Sequence, residues 1–422
     1  MYLHRMALGT LAAGMALTAL ATGGSGAWAA EAETYGAVRD FLVAHTKVVE
    51  LTGENGERVA ICPEYQGRVM TSTTGDLKGL SFGWVNQEFI QRGVPDRHFN
   101  NSGGEDRLWL APEGGPNSLF FAAGAAQTLN NWYTPPALND GAFKITSTQN
   151  DPHYRLTRQM RLQNAAKTQF DLEVNREIHL QKIHHFAKLF GGDAESAVTA
   201  GKLRMVGFQT INTITNRGPA LSRDKGLIAV WSLGQFPGGA RTSIIIPYKG
   251  PDETELGPIV NSDYFGEVPA DRLRVNSQAI WFRGDGKYRS KIGVPQSRAK
   301  PVAGSIDLDN GVLTLVHFSM PTDPTTVGYV NNIWGKQEEP YRGDVFNSYN
   351  DGPPEPGQQA LGGFYELESL SPAAQLPTGR SMTHTQTTFH IVGDTAALAR
   401  VAKAVLGVDI KVDEIAREKS KR

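Results

Sequence analysis

The side chains best able to do chemistry are concentrated between Arg97 and Glu113: Arg97-His98-Phe99-Asn100-Asn101-Ser102-Gly103-Gly104-Glu105-Asp106-Arg107-Leu108-Trp109-Leu110-Ala111-Pro112-Glu113. Asn101, Glu105, Arg107 and Glu113 can hydrogen-bond hydroxyl groups, and Trp109 offers a face on which a sugar ring stacks. The paired glycines let the backbone turn tightly and approach a ligand. The same composition also fits a loop running into a strand, with Trp109 in the core and Glu113 in a turn.

Two more segments carry comparable groups. Asn130-Asn131-Trp132-Tyr133-Thr134-Pro135-Pro136-Ala137-Leu138-Asn139 combines aromatics, amides and prolines. Trp132 and Asn139 there suit a rigid cleft wall, and the segment suits a crossover loop equally well. The third begins at Val345-Phe346-Asn347-Ser348-Tyr349-Asn350 and leads to Phe364-Tyr365-Glu366-Leu367-Glu368-Ser369. Alternate residues of a strand share a face, so Glu366 and Glu368 project together, away from Tyr365 and Leu367. Two like charges raise one carboxyl pKa toward that of a useful base. A solvent-facing strand side with two ordinary acids is the alternative.

His317 falls on the face of Leu313 and Leu315, which suits a core histidine as well as an acid. His384 and His390 share a face but stand six residues apart, and His184-His185 are adjacent. None of these spacings matches a zinc motif, and no Gly-x-Ser-x-Gly elbow occurs, so neither metal nor cofactor is expected. Asp285-Gly286-Lys287 reads as a hairpin turn. Cys62, the only cysteine, lies in an apolar run and reads as a buried thiol with no disulfide partner.

The elements that must position these groups are strands. Short runs rich in Val, Ile, Thr, Phe and Tyr, broken by Gly, Pro, Asn and Asp, recur between about residues 47 and 392. They include Arg58–Ile61, His153–Leu162, Gln169–Gln181, Met205–Asn216, Leu227–Leu233, Val312–Phe318, Phe364–Leu370 and Met382–Val392. This pattern predicts an all-β sandwich or barrel, and alternating βα units are absent. Short helices are expected near the termini: Tyr35–Ala44, and Thr395–Leu406 capped by Asp394. Gly191, Gly192 and Gly201 make Lys188–Lys202 read as a loop.

Residues 1–30 read as a signal peptide: His4 and Arg5, an apolar run from Ala7 to Ala21, then Ala27-Trp28-Ala29 as the cleavage pattern. The expectation is a single domain over 31–407, a charged tail over 408–422, and a periplasmic or secreted location with no membrane insertion after cleavage. The 42 basic and 43 acidic residues nearly cancel, which argues against nucleic acid as the partner.

Together these segments resemble the galactose-mutarotase-like family of proteins related to aldose 1-epimerases. The carriers are Gly103 to Glu113, the run Val206-Gly207-Phe208-Gln209-Thr210-Ile211-Asn212-Thr213-Ile214-Thr215-Asn216, and the late strand with Ser371-Pro372-Ala373 and Leu376-Pro377-Thr378-Gly379. The resemblance implies a β-supersandwich with a concave saccharide-binding face. With the leader and the polar-aromatic segments above, the expectation is an exported protein that binds a saccharide through Asn101, Glu105, Arg107, Trp109, Glu113, Trp132, Asn139, Asn350 and Glu366. The late Leu-Glu pair falls on Leu367-Glu368, so Glu368 takes the general-base role. The family's histidines have no motif counterpart: Ser102-Gly103-Gly104 stands where His-Gly-Gly is expected, and Asn212–Asn216 holds no histidine. His98 and His317 substitute by proximity or polarity. An epimerase, lyase or hydrolase and a non-catalytic saccharide-binding or envelope protein are the two functions that follow.

Overall fold

Alternation along the chain sorts side chains onto two faces, and the strands bury one face or both accordingly. In Gln169–Gln181 the even positions Phe170, Leu172, Val174, Arg176 and Ile178 are buried while their neighbours are not. In Phe364–Leu370 every position is buried, which requires cover on both sides. The computed structural model describes residues 33–148, 151–250, 253–321 and 328–410. The expected leader and most of the expected tail lie outside the described residues, but Val408 and Ile410 at the start of that tail pack into the helix-side core.

Two antiparallel sheets form the sandwich. The ten-stranded sheet runs in the order Leu273–Val275, Ala279–Arg283, Thr242–Pro247, Val302–Asp307, Val312–Phe318, Ser381–Val392, Arg204–Asn216, Gln169–Gln181, His153–Gln163 and Lys144–Ile145. The five-stranded sheet runs Ser290–Pro295, Asp344–Asn350, Phe364–Leu370, Ala229–Pro237 and Arg107–Ala111. A small third sheet, Val49–Thr52, Arg58–Cys62 and Arg68–Thr73, is bridged to the second through Val69 and Asp106. The main core lies between the two large sheets and includes Val174, Ile178, Phe208, Ile214, Phe346 and Leu367. The fold is therefore the expected all-β sandwich.

Helices cover one part of the outer face of the larger sheet. Thr395–Leu406 begins at Asp394, whose carboxylate accepts from the backbone N–H groups of Ala396 and Ala397. It presents Leu398, Val401 and Leu406 to Leu313, Leu315, Phe389 and Ile391. The segment expected to be a loop forms two further helices, Ile183–Phe190 and Gly192–Ala200. Gly191, at φ +89°, closes the first and opens the second, so the glycines punctuate helices here. Asp285-Gly286-Lys287 is likewise no hairpin turn: the strands on either side of it belong to different sheets.

Candidate functional site

A cleft of about 560 Å³ opens on the outer face of the five-stranded sheet. Strand register lays its floor. One row across four strands reads Arg107, Leu233, Glu368 and Asn347, and the next pairs Trp109 with Trp231. Glu366 sits opposite Gln235. The walls come from loops that supply His98, Phe99, Asn101, Glu113, Trp132 and Trp334. A larger, shallower depression of about 730 Å³ surrounds Arg158, Arg161 and Arg217 and has no aromatic lining.

The aromatic side chains form a continuous platform. Trp109 lies 5.8 Å from Trp231, 6.3 Å from Trp132 and 5.3 Å from Phe120, centroid to centroid. The Arg107 guanidinium rests 4.1 Å over Trp109 and 4.9 Å from Phe99. The indole N–H of Trp109 donates to the Leu138 carbonyl, which fixes the ring plane.

Charged groups are interleaved with the rings. Arg107 donates to Glu366 at 2.8 Å. Lys291 Nζ lies 3.2 Å from Glu368 and 3.7 Å from Glu113. Two indoles complete the set: Trp231 donates to Glu368 at 3.0 Å and Trp132 to Glu113 at 3.0 Å. Several buried polar atoms keep unused bonding capacity, namely Arg107 Nε and Nη1, Glu368 Oε1 and Gln235 Oε1.

Burial drives the acid–base behaviour. It pushes the Glu366 carboxyl up to about 8; the Arg107 guanidinium opposes the shift, and the neighbouring Glu368 charge reinforces it. Removal from water outweighs the nearby arginine, so Glu366 exchanges its proton near neutral pH. Burial likewise raises Glu113, against the pull of Lys291. For Lys291 burial disfavours the charge, but Glu368 and Glu113 overcome it and hold the ammonium above the ordinary lysine range.

The structure brings together His98, Asn101, Arg107, Trp109, Glu113, Trp132 and Glu366 of the expected set around one cleft. His98 Nδ1 lies 2.7 Å from the Trp132 carbonyl, and its ring stacks on Tyr133. Glu368 stands in the floor row but is fully buried, held by Lys291 and Trp231. Four residues sit elsewhere. Glu105 faces the small sheet, accepting from the Ser72 amide and hydroxyl and pairing with His390. Asn139 braces the neighbouring loop through Asn100 and Asp96. Asn350 ties Gly286, Tyr288 and Asp285 together. His317 packs edge-on to Phe190 on the helix side of the larger sheet, where burial lowers its pKa. The paired glycines serve backbone packing: a Cβ on Gly103 would lie 2.2 Å from the Trp84 carbonyl oxygen.

Sequence reasoning missed Lys291 and Trp231. Lys291 is a lone cation in a short apolar strand, and Trp231 is an alternate residue of a strand recognised only for its β character. A buried lysine facing the Glu strand is visible only once Ser290–Pro295 joins the same sheet. Among the described residues, no group of three His, Cys, Asp or Glu in the cleft lies close enough to share a metal ion.

No curated protein matches this chain in sequence. Among solved structures, it is similar to a structural-genomics protein from Synechocystis sp. PCC 6803, with a TM-score of 0.46 and 13% identity, covering 83% of this chain and 96% of that one. A candidate aldose 1-epimerase from Escherichia coli K12 gives 0.46 and 11%, covering 82% and 98%. A 4-alpha-glucanotransferase from Thermococcus litoralis gives 0.35 and 8%, covering 81% and 37%. Residues 33–417 match the Family of unknown function (DUF6786), and the chain belongs to that family.

Proposed function

We propose that this is an exported protein that binds a saccharide in the tryptophan-floored cleft and acts on it by proton transfer through Glu366. The observation that carries the proposal is the juxtaposition of an aromatic platform with a cleft-floor carboxyl pushed up to about 8. Ring faces suit the apolar faces of a sugar, and the unbonded Arg107 and Gln235 atoms suit its hydroxyls. A carboxyl that titrates near neutrality both gives and takes a proton with little energetic mismatch. Glu366 rather than Glu368 takes this role because Glu366 lines the cleft, whereas Glu368 is fully buried and held by Lys291 and Trp231. Glu368 acts indirectly, its charge keeping Glu366 proton-affine.

The reaction class is an epimerase-, lyase- or hydrolase-type step at a carbon bearing oxygen. The test is a panel of neutral and uronic saccharides, followed by calorimetry and by NMR of the anomeric protons. Glu366→Gln is expected to bind the ligand with turnover lost, and Glu368→Gln to shift the pH profile downward. Unchanged turnover in Glu366→Gln would sink the assignment, and ligand binding without turnover in the wild type would turn it into a binding protein. For export, N-terminal sequencing from the native host is expected to begin near Glu31, and an intact Met1 on cytoplasmic material would refute it.

A further inference from the structure

The outer face of the ten-stranded sheet, helix-covered in one part, is polar and open around the strand pair His153–Gln163 and Gln169–Gln181. Register sets His153 directly opposite His179, and Glu177 shares the face of His179 two residues earlier. The two imidazoles stack at 4.1 Å. Glu177 Oε2 lies 3.2 Å from His179 Nε2 and 3.7 Å from His153 Nε2. The second separation is beyond hydrogen-bonding reach. His153 Nε2 is buried and has no hydrogen-bond partner, a costly state for a polar atom.

We propose that His153, Glu177 and His179 form a three-ligand site for a divalent transition cation of the zinc type. Two imidazole nitrogens and one carboxylate oxygen suit zinc and its neighbours, whereas calcium and magnesium favour all-oxygen shells. Tetrahedral zinc, with bonds of about 2.0–2.1 Å, holds its ligand atoms roughly 3.3 Å apart, and the two separations from Glu177 lie close to that spacing. The stacked rings turn out of parallel to bring both Nε2 lone pairs onto one ion, which then supplies the partner that His153 Nε2 lacks, and a water takes the fourth position. Neutral rings are the form that ligates. Arg155 is the competitor, its Nε 3.9 Å from Glu177 Oε2, and it is exposed enough to swing away. Both sheets stand between this site and the cleft, and the ion acts as a staple across two strands.

Chelator-treated full-length protein would be titrated with zinc chloride by calorimetry and with cobalt(II) by visible absorption. One equivalent is expected, with four-coordinate cobalt bands and a thermal midpoint raised by about 3 °C in excess zinc. His153→Ala and His179→Ala should each weaken binding about tenfold or more. Glu177→Gln, on an exposed side chain that tolerates change, should weaken it and remove the thermal shift even if the histidine variants fold poorly. His184 and His185, whose Nε2 atoms lie 3.1 Å apart, are the internal control. Absence of wild-type binding overturns the proposal. So does binding that survives Glu177→Gln undiminished or disappears only in His184→Ala/His185→Ala.

Discussion

Asp106 and Arg107 are consecutive, yet each belongs to a different ion pair on a different side of the five-stranded sheet. Asp106 points into the sandwich and meets Arg176 at 2.5 Å, with Thr210 and Gln386 as further donors. Arg176 in turn donates to the Gly67 carbonyl and to Asn212. Arg107 points outward to Glu366 and leaves two donor nitrogens unbonded. The inner pair is a saturated network that fixes how the sheets pack. The outer pair is unsaturated, and spare bonding capacity is what a binding surface needs.

The largest expected effect is on the inner pair. Arg176→Ala strands a buried Asp106 charge and should lower unfolding stability by about 3–5 kcal/mol in urea denaturation. A loss below about 1 kcal/mol would mean the network is not holding the sheets together. Arg107→Ala should behave differently, because Arg107 serves Glu366 alone, whereas Arg176 also holds the Gly67 carbonyl and Asn212. Saccharide affinity should fall by about 1–3 kcal/mol by calorimetry, with a smaller loss of stability than in Arg176→Ala. Equal stability losses in the two variants would erase the contrast.

A third effect is in pH. The folded-state pKa of Glu366, about 8, exceeds its ordinary value of 4.5, so the folded state holds the proton more tightly. Its stabilising contribution is complete below 4.5 and is lost as pH rises through about 8. The slope contributed by this one group is at most about 1.4 kcal/mol per pH unit. Glu366→Gln should flatten that stretch of the stability–pH curve; an unaltered curve would place the titration elsewhere. The smallest effect belongs to Trp132→Phe, which keeps an aromatic face but removes the N–H to Glu113 together with the five-membered half of the indole. Affinity should drop by roughly 0.5–1.5 kcal/mol. No change would remove that bond from the binding surface.

Much of the architecture was legible in the sequence because period-two alternation is local. Gln169–Gln181, Val312–Phe318, Phe364–Leu370 and the helix Thr395–Leu406 fall where the pattern puts them. The shared face of Glu366 and Glu368 follows from the same rule. What local pattern could not say is which sheet covers a face. Glu105 and Arg107 are both polar and near in sequence, yet Glu105 turns to Ser72 and His390. His317 was misplaced because a helix segment, obscured by its glycines, covers that side of the sheet. Lys291 and the trio of His153, Glu177 and His179 depend on strand pairing, and residue types alone carry no register.

The back-to-back placement of Asp106 and Arg107 bears on how this protein can change over generations. Odd and even positions of Arg107–Ala111 answer to separate demands, the cleft on one side and the sandwich interior on the other. Length answers to both. Deleting one residue between Gly104 and Arg107 would reverse the strand's two sides, sending Arg107 toward Arg176 and a leucine toward the ligand. A library scanning this strand should therefore tolerate more replacements at Arg107 than at the core positions Leu108, Trp109 and Leu110, and no single-codon deletion at all.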